Sequence, residues 1–154
     1  MPHERAHMAV LIQPMVAPDV SFILHTVNPI NQNAREVYVE LVAGLGETLA
    51  SAATRGQPWR LICDKQSGQT TTLAFANFSE ALWPNPAGGL ARRRVNYSQM
   101  ALSRDAASRP RLGARLAAIA RTVEEGFGRP QDIEGVVAGE DIYLVQSRPQ
   151  PGIE

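Results

Sequence analysis

Four polar residues near the C-terminal end of the sequence have the types and the spacing of a metal and phosphate site. Asp132 and Glu134 stand two residues apart before a predicted turn, and Gln146 and Arg148 stand two residues apart after it. Residues two apart in an extended strand project from the same face. If residues 139–141 form a three-residue loop, the hairpin places Glu134 opposite Gln146 and Asp132 opposite Arg148.

Such a patch suits a Mg²⁺ ion that is bound to phosphates. Carboxylate and amide oxygens are hard ligands for Mg²⁺, and a neighbouring arginine can pair with the phosphate oxygens that the ion leaves exposed. The alternative is an ordinary solvent-facing hairpin in which Asp132 and Arg148 form a cross-strand ion pair worth about 0.5 kcal/mol. Spacing alone leaves both interpretations open.

The composition limits the classes of protein to which the chain can belong. Its 154 residues correspond to one domain. Fifteen basic residues balance fifteen acidic residues, which argues against a general nucleic-acid binder. No stretch approaches the ~18 apolar residues of a membrane span. The single cysteine, Cys63, excludes an internal disulfide framework. We expect a soluble domain without nucleic-acid or membrane partners.

The elements that would position the patch follow from the hydrophobic pattern. In the stretch 36–43, Val37, Val39 and Leu41 alternate with more polar residues, which predicts a strand with one buried and one wetter face. Pro14 cannot donate to a ladder, so the first predicted strand should end in a bend. A basic, solvated edge is expected at residues 92–94. We predict strands at 9–15, 20–27, 36–43, 60–65, 70–75, 133–137 and 142–145, a short helix at 48–54 and a long helix at 110–127.

Three motifs, made of four segments, resemble parts of the ATP-binding domain of the pyruvate phosphate dikinase and phosphoenolpyruvate synthase superfamily. Residues 130–135 (PQDIEG), with 142–149 (IYLVQSRP), are similar to the end of that domain. Residues 10–16 (VLIQPMV) resemble the strand and hinge that line the adenine pocket of an ATP-grasp fold, and 44–47 (GLGE) resembles the glycine-rich elbow near the phosphates. The three motifs follow the order that the superfamily requires.

The resemblance implies an α+β fold: an ATP-grasp-like C-terminal lobe, with a mainly antiparallel sheet and helices packed against one face. This lobe would occupy residues 8–151, with 1–7 as a disordered N-terminal end and 152–154 as a tail. The first lobe, with its phosphate-clamping lysine and arginine, would be missing. Lys65 is the only lysine of the chain and lies in the wrong part of it to replace that group.

The resemblance also implies which residues bind MgATP. The backbone at the hinge would contact adenine, the elbow would lie toward the phosphates or ribose, and the hairpin would hold the ion. Arg148 would be catalytic, because it would stabilise the charge that develops on the transferred phosphoryl groups. The implied ATP contacts are Gln13, Met15, Val16, Glu47, Glu134, Gln146 and Arg148, and the implied metal ligands are Glu134 and Gln146. Asp132 is a further candidate, either as a third metal ligand or as a residue that supports the ligands from behind.

Within the superfamily, the segments 54–61 (TRGQPWRL) and 73–80 (LAFANFSE) favour the phosphoglucan, water dikinases of starch metabolism over the related glucan, water dikinases. This resemblance implies that the β-phosphate of ATP passes through a phosphohistidine to glucan while the γ-phosphate passes to water. It implies a chloroplast location, although no transit peptide is visible. The phosphohistidine domain and the domains that bind starch (α-glucan) would be absent partners. The alternative is a truncated, non-catalytic fragment that folds but is inactive without them.

The remaining residues with reactive side chains have simpler explanations. His25 lies inside a predicted strand, which favours a structural role or a place at the edge of the pocket. His3 and His7 stand in a polar terminus where disorder is the default. Cys63 is expected to be a small packed residue. Asp19 is expected in a turn, with a ribose contact left open.

Overall fold

The computed structural model describes residues 9–50 and 55–153. Within these ranges the chain forms eight strands, three α-helices and one 3-10 turn. In chain order they are β1 (Val20–His25), β2 (Glu36–Ala43), α1 (Glu47–Ala50), β3 (Trp59–Asp64), β4 (Thr70–Ala74), β5 (Glu80–Pro84), β6 (Leu90–Arg94), the 3-10 turn (Tyr97–Gln99), α2 (Ala101–Arg104), α3 (Ser108–Phe127), β7 (Gln131–Ala138) and β8 (Asp141–Pro149).

Six of the strands form one antiparallel sheet in the order β4-β3-β2-β1-β7-β8. Strand β1 therefore lies at the centre, paired with β2 on one side and β7 on the other. Strands β5 and β6 form a separate antiparallel hairpin. The predicted α+β class with a mainly antiparallel sheet is confirmed.

One face of the six-stranded sheet, called here the covered face, packs against α3. Alternate residues of the strands point into it, and those at its centre are at most 1% exposed: Phe22, Leu24, Val39, Leu41, Leu61 and Ile133. From α3 the buried residues include Leu116, Ala117 and Ala120. Gly113 allows the close approach, because a Cβ at this position would lie 2.2 Å from the Thr70 hydroxyl oxygen.

The opposite side of the same strands, called here the open face, carries charged and polar residues. Together with Ile23 and Ile62, these residues form two rows across the sheet, because the strand register places them opposite one another. Most are partly exposed, while Tyr38 and Asp132 are buried by their neighbours. One row runs Arg148, Asp132, His25, Tyr38 and Ile62, and the other runs Gln146, Glu134, Ile23, Glu40 and Arg60.

The prediction of a strand at 9–15 is wrong. Val10, Leu11 and Ile12 are 79–91% exposed and belong to no strand. A strand requires a neighbour that accepts and donates its ladder hydrogen bonds, and no described strand pairs with this segment. Of the short helix predicted at 48–54, the described part is Glu47–Ala50, and residues 51–54 lie outside the described ranges. Residues 1–7, expected to be disordered, also lie outside them.

The other predicted elements agree within a few residues, and β2 agrees at both ends. Helix α3 begins earlier than predicted, and the Asp105 carboxylate accepts hydrogen bonds from the Ala107 amide and the Ser108 hydroxyl at its start. Gly128, with φ +66°, ends the helix. None of the helices in the described part of the chain is long and apolar enough to cross a membrane.

The sequence did not predict β5 and β6. The three arginines of β6 are exposed, as expected. Arg92 pairs with Glu80, and the Arg93 guanidinium lies over the Trp83 ring. These cross-strand contacts hold a hairpin in which few residues are buried, so hydrophobic alternation is a weak signal for it.

Candidate functional site

The β7–β8 hairpin places Glu134 opposite Gln146 and Asp132 opposite Arg148, as the spacing predicted. The expected three-residue loop is wrong, because Ala138 pairs with Asp141 and leaves only two residues in the turn. A two-residue turn alone would shift the partners by one position. A β-bulge next to Glu134 inserts one extra residue of β8 and restores the predicted pairs.

The bulge requires the glycine that follows Glu134. A Cβ at Gly135 would lie 2.3 Å from the Phe22 ring and 2.6 Å from the Tyr143 carbonyl oxygen. Any larger residue would push β7 away from the core or from β8. Gly135 therefore fixes the position of the bulge, after which Gln146 and Arg148 of β8 stand opposite Glu134 and Asp132.

Arg148 and Asp132 form an ion pair at the end of the hairpin. The Arg148 Nε–H donates to Asp132 Oδ2 at 2.9 Å, and Nη2 lies 2.8 Å from the same oxygen. The hydrogen bond to Asp132, together with the charges of Asp132 and Glu134, raises the pKa of Arg148. The Asp132 side chain is 5% exposed and that of Arg148 is 57% exposed. Asp132 thus holds two guanidinium nitrogens of Arg148, while much of the arginine side chain stays exposed to a ligand.

A cavity of about 300 Å³ lies beside the hairpin, on the open face. Residues of β1 and β7 form its floor, and the hinge, the elbow, the β5–β6 hairpin and the bulge of β8 form its walls. It collects five of the residues that the sequence predicted to bind ATP. The predicted residues that line it are Gln13, Met15, Val16, Glu47 and Glu134, and those that the sequence did not single out include Ser21, Ile23, Leu90, Val136 and Val145.

The glycine-rich elbow is fixed from two sides. The Ser21 hydroxyl donates to the Gly44 carbonyl at 2.6 Å, and the Leu45 amide donates to the Leu82 carbonyl at 2.8 Å. Gly44 has φ +68°, and a Cβ there would lie 2.2 Å from the Leu82 oxygen. The elbow backbone is therefore locked between β1 and β5, and the exposed Glu47 that follows it stays at the cavity.

Gln146, Arg148 and Asp132 do not line the cavity. They continue from it along the open face. Gln146 stands opposite Glu134, which lines the cavity, and Asp132 and Arg148 stand one row further. Successive rows on one face are about 7 Å apart. An elongated ligand with its base in the cavity would therefore pass its phosphates over these two rows.

The donor set of the hairpin suits a Mg²⁺ ion that arrives with a triphosphate. Directly opposed residues of antiparallel strands have Cβ atoms about 5 Å apart, so Glu134 and Gln146 can offer oxygens to one ion. Among the described residues, no group of three or more His, Cys, Asp or Glu residues could hold a metal by itself. Mg²⁺ commonly uses one or two protein oxygens and completes its shell with phosphates and water.

Asp132 is less free than Glu134. Its Oδ2 accepts both contacts from Arg148, and its Oδ1 is buried. The geometry favours a supporting position behind Arg148 over direct contact with an ion.

The other reactive residues have structural partners. Asp19 Oδ2 accepts the Gly139 amide at 2.8 Å, which fits the expected turn role. Cys63 is buried, and burial raises the pKa of its thiol to about 11. Lys65 pairs with Glu124 of α3 at 2.8 Å. His25 lies beside Asp132 on the open face. His3 and His7 are outside the described residues.

The sequence is similar to known families along nearly all of its length. The family model for the pyruvate phosphate dikinase AMP/ATP-binding domain matches residues 1–153. Alpha-glucan water dikinase 2 of Arabidopsis thaliana is 35% identical over 96% of this chain and 14% of its own length. The chloroplastic alpha-glucan water dikinase of Solanum tuberosum is 33% identical over 96% of this chain and 12% of its own length. Rifampicin phosphotransferase of Bacillus subtilis is 32% identical over 96% of this chain and 16% of its own length.

These relatives are far longer than the chain, which spans only 12–16% of their lengths. The alignment with the Arabidopsis relative runs over 175 positions, more than the 154 residues of the chain, so that relative has residues here without a counterpart. The alignment with rifampicin phosphotransferase runs over 147. The superfamily resemblance is confirmed, and the preference for the phosphoglucan, water dikinases stays a prediction.

Proposed function

The chain belongs to the pyruvate phosphate dikinase AMP/ATP-binding domain family, and we propose that it binds MgATP along the open face of its sheet. The observation that carries this proposal is the cavity that joins the hinge, the elbow and Glu134. The base would occupy the cavity between Met15, Val16 and Leu90, and the phosphates would extend toward Gln146 and Arg148.

Each part of the site would have a distinct task. The apolar lining of the cavity would exclude water from the base, and the locked elbow would hold Glu47 at a fixed position. Glu134 and Gln146 would hold a Mg²⁺ ion, which when bound neutralises charge on the phosphates. Arg148, anchored by Asp132, would donate to oxygens of the transferred phosphoryl groups as their charge develops. Preorganised donors of this kind lower a barrier because they need little rearrangement during the reaction.

For the whole enzyme we propose a starch dikinase of the phosphoglucan, water type, acting in a plastid. The β-phosphate would pass through a phosphohistidine to glucan and the γ-phosphate to water. Segments 54–61 and 73–80, together with the similarity to alpha-glucan water dikinases, support this acceptor. The similarity to rifampicin phosphotransferase supports a bacterial-type enzyme with a different acceptor as the competing choice. In either case the first lobe, the phosphohistidine domain and the acceptor-binding domains would lie outside this sequence.

The second candidate is a folded fragment that binds nucleotide poorly and catalyses nothing alone. The exposed hinge favours it, since Val10, Leu11 and Ile12 form an apolar segment with no described strand beside it. A cleft with one wall leaves the phosphates in water on the other side, where each charged contact is worth less.

Calorimetry with the isolated chain tests the binding proposal. Since affinity depends on desolvated contacts from both walls, we expect weak MgATP binding, around 1 mM or worse, equivalent to about 4 kcal/mol. Binding should fall when EDTA removes Mg²⁺. No detectable MgATP binding up to the solubility limit would contradict the proposal. Low-micromolar affinity would show that the other wall of the cleft, the first lobe, is not needed for binding.

A labelling experiment separates the enzyme from the fragment. The chain is incubated with β-labelled ATP and prephosphorylated starch, beside a heat-killed control. We expect no label in the glucan, because the incubated residues match an AMP/ATP-binding domain and the proposed transfer also needs a phosphohistidine domain. Label above the control would contradict the need for that domain and would make the chain an enzyme in its own right.

A further inference from the structure

The row beyond Glu134 and Gln146 contains two buried polar atoms that have no partner. His25 of β1 stands directly opposite Asp132 of β7. The His25 Nδ1 and Asp132 Oδ1 atoms are 3.9 Å apart, and each is buried without a hydrogen bond among the described residues. An unpaired buried polar atom is costly, and such groups are nearly always paired in native proteins. Two such atoms that face each other on paired strands therefore indicate a contact between them.

The two side chains can make this contact without moving the backbone. A neutral imidazole carries its proton on either nitrogen, and the partner of the ring decides which one. With the proton on Nδ1, His25 becomes the donor that Asp132 Oδ1 lacks. A side-chain shift of about 1 Å brings the atoms to hydrogen-bonding distance. The β1–β7 ladder holds both residues, and Tyr38 of β2 supports the ring from the other side, with ring centroids 6.3 Å apart.

We propose that His25 is a positioning residue for the phosphate-binding end of the site. Its Nδ1–H would hold Asp132 Oδ1, which fixes the carboxylate so that Oδ2 holds the Arg148 guanidinium. This inference rests on the proposed function, because it assigns Arg148 to the phosphates of a nucleotide. His25 itself would not touch the nucleotide.

Anchoring matters here because the Arg148 side chain is long and 57% exposed. A free arginine loses rotamer entropy when it closes on a ligand, and a guanidinium that is already held loses less. Both Arg148 contacts fall on one carboxylate oxygen, so rotation of the Asp132 carboxylate would release the arginine. The effect of His25 should therefore appear with ligands that carry phosphates and vanish with adenosine, which reaches only the cavity.

Nuclear magnetic resonance with two variants tests the proposal. His25→Asn keeps a donor near the place of Nδ1, whereas His25→Phe keeps a ring and removes the donor. In the wild-type chain we expect nitrogen shifts that report the Nδ1–H tautomer of His25 and a protected Arg148 Nε–H signal. His25→Phe should lose the Arg148 signal and His25→Asn should retain it.

Titrations with MgATP and with adenosine complete the test. We expect His25→Phe to bind MgATP about five- to tenfold more weakly, which is the size of effect expected for one ordinary hydrogen bond. Adenosine binding should be unchanged in both variants, and His25→Asn should recover most of the MgATP affinity. The Nε2–H tautomer, or MgATP affinity in His25→Phe equal to wild type, would overturn the proposal. An equal loss of adenosine binding would also overturn it, since that indicates a merely structural role. If the wild type binds neither ligand, the proposed function fails, and the tautomer and Arg148 signals still decide the role of His25.

Discussion

The two faces of the six-stranded sheet are built from the same strands and differ in almost every physical respect. On the covered face, residues such as Phe22, Leu41 and Leu61 are fully buried in the hydrophobic core, to which α3 also contributes. On the open face, most charged residues are partly exposed, and several stand in cross-strand pairs, such as Arg60 with Glu40 and the exposed Arg148 with the buried Asp132. The covered face makes the fold stable, and the open face carries the groups that could do chemistry.

One sequence pattern builds both the stable core and the candidate site. Alternate residues of a strand point to opposite faces, so each strand contributes to the core and to the site at once. A slip of one residue would exchange the faces and bury the charges. The buried core therefore fixes the register that places Glu134 beside the cavity and Asp132 beside Arg148 and His25.

The largest change in stability is expected from the covered face. Leu61→Ala removes a fully buried side chain of β3 and should lower the free energy of unfolding by about 2–5 kcal/mol. The neighbour Ile62 points to the open face and is partly exposed, so Ile62→Ala should cost about 1 kcal/mol or less. Urea denaturation measures both. Equal losses in the two variants would show that the open face is also a packed core.

The largest change in chemistry is expected from the open face. In a longer enzyme that contains this chain, Arg148→Ala should lower the rate of ATP-dependent autophosphorylation by about 10² to 10³, typical of deleting one preorganised stabilising group. Glu134→Gln keeps the shape of the side chain and should weaken the response to Mg²⁺. Arg121→Ala, on the exposed side of α3, is the control and should cost little. If both hairpin variants autophosphorylate at nearly the wild-type rate at saturating MgATP, the assignment of the phosphate site to this hairpin is wrong.

Two glycines of α3 test how closely the helix approaches the covered face. Gly113→Ala places a Cβ 2.2 Å from the Thr70 hydroxyl oxygen and should destabilise the chain by about 1–3 kcal/mol. Gly126→Ala meets nothing within 4 Å and should stabilise it by about 0.5–1 kcal/mol, because alanine is the better helix former. Thermal unfolding of the two variants should shift in opposite directions. A shift in the same direction would contradict the packing described for α3.

The smallest effect concerns the thiol of the covered face. Burial raises the pKa of Cys63 to about 11, above that of an unfolded thiol. The folded chain thus keeps a proton that the unfolded chain loses, so this contribution to stability is present below about pH 8.5 and is lost as the pH rises toward 11. Because Cys63→Ala has no thiol to ionise, its free energy of unfolding should fall less between about pH 8.5 and pH 11 than that of the wild type. At pH 8 the wild-type thiol should react with a disulfide reagent only on unfolding, and rapid reaction of the folded chain would contradict its burial.

The fold was predictable where the residue types follow a simple period. In β2, Val37, Val39 and Leu41 alternate with more polar residues, and the ends of the strand were predicted, although Tyr38 and Val42 on its other face are also buried. Helix α3 carries apolar residues at helical spacing. Hairpin β5–β6 was missed because its residues are mostly exposed or half-buried, and the arginines of β6 obscure any alternation. The strand predicted at 9–15 has the right residue types but no described partner, and residue types alone cannot supply one.

For the site, the sequence predicted the pairs across β7 and β8 but not the reason for them. The turn is shorter than expected and the bulge compensates, and neither is visible in a pattern in which Gly135 and Val145 look like ordinary strand residues. The proximity of His25 to Asp132 depends on the pairing of β1 with β7, which are far apart in the chain. Such long-range pairing has no local sequence signal.

We expect MgATP to bind the open face and to leave the covered face untouched. Backbone amide shifts recorded during an MgATP titration can separate the two faces residue by residue. We predict saturable shifts that cluster at Gln13, Glu47, Glu134 and Gln146, with residues of α3 such as Leu116 unchanged. Shifts centred on α3, or no saturable shift at any of the four residues, would contradict binding at the open face.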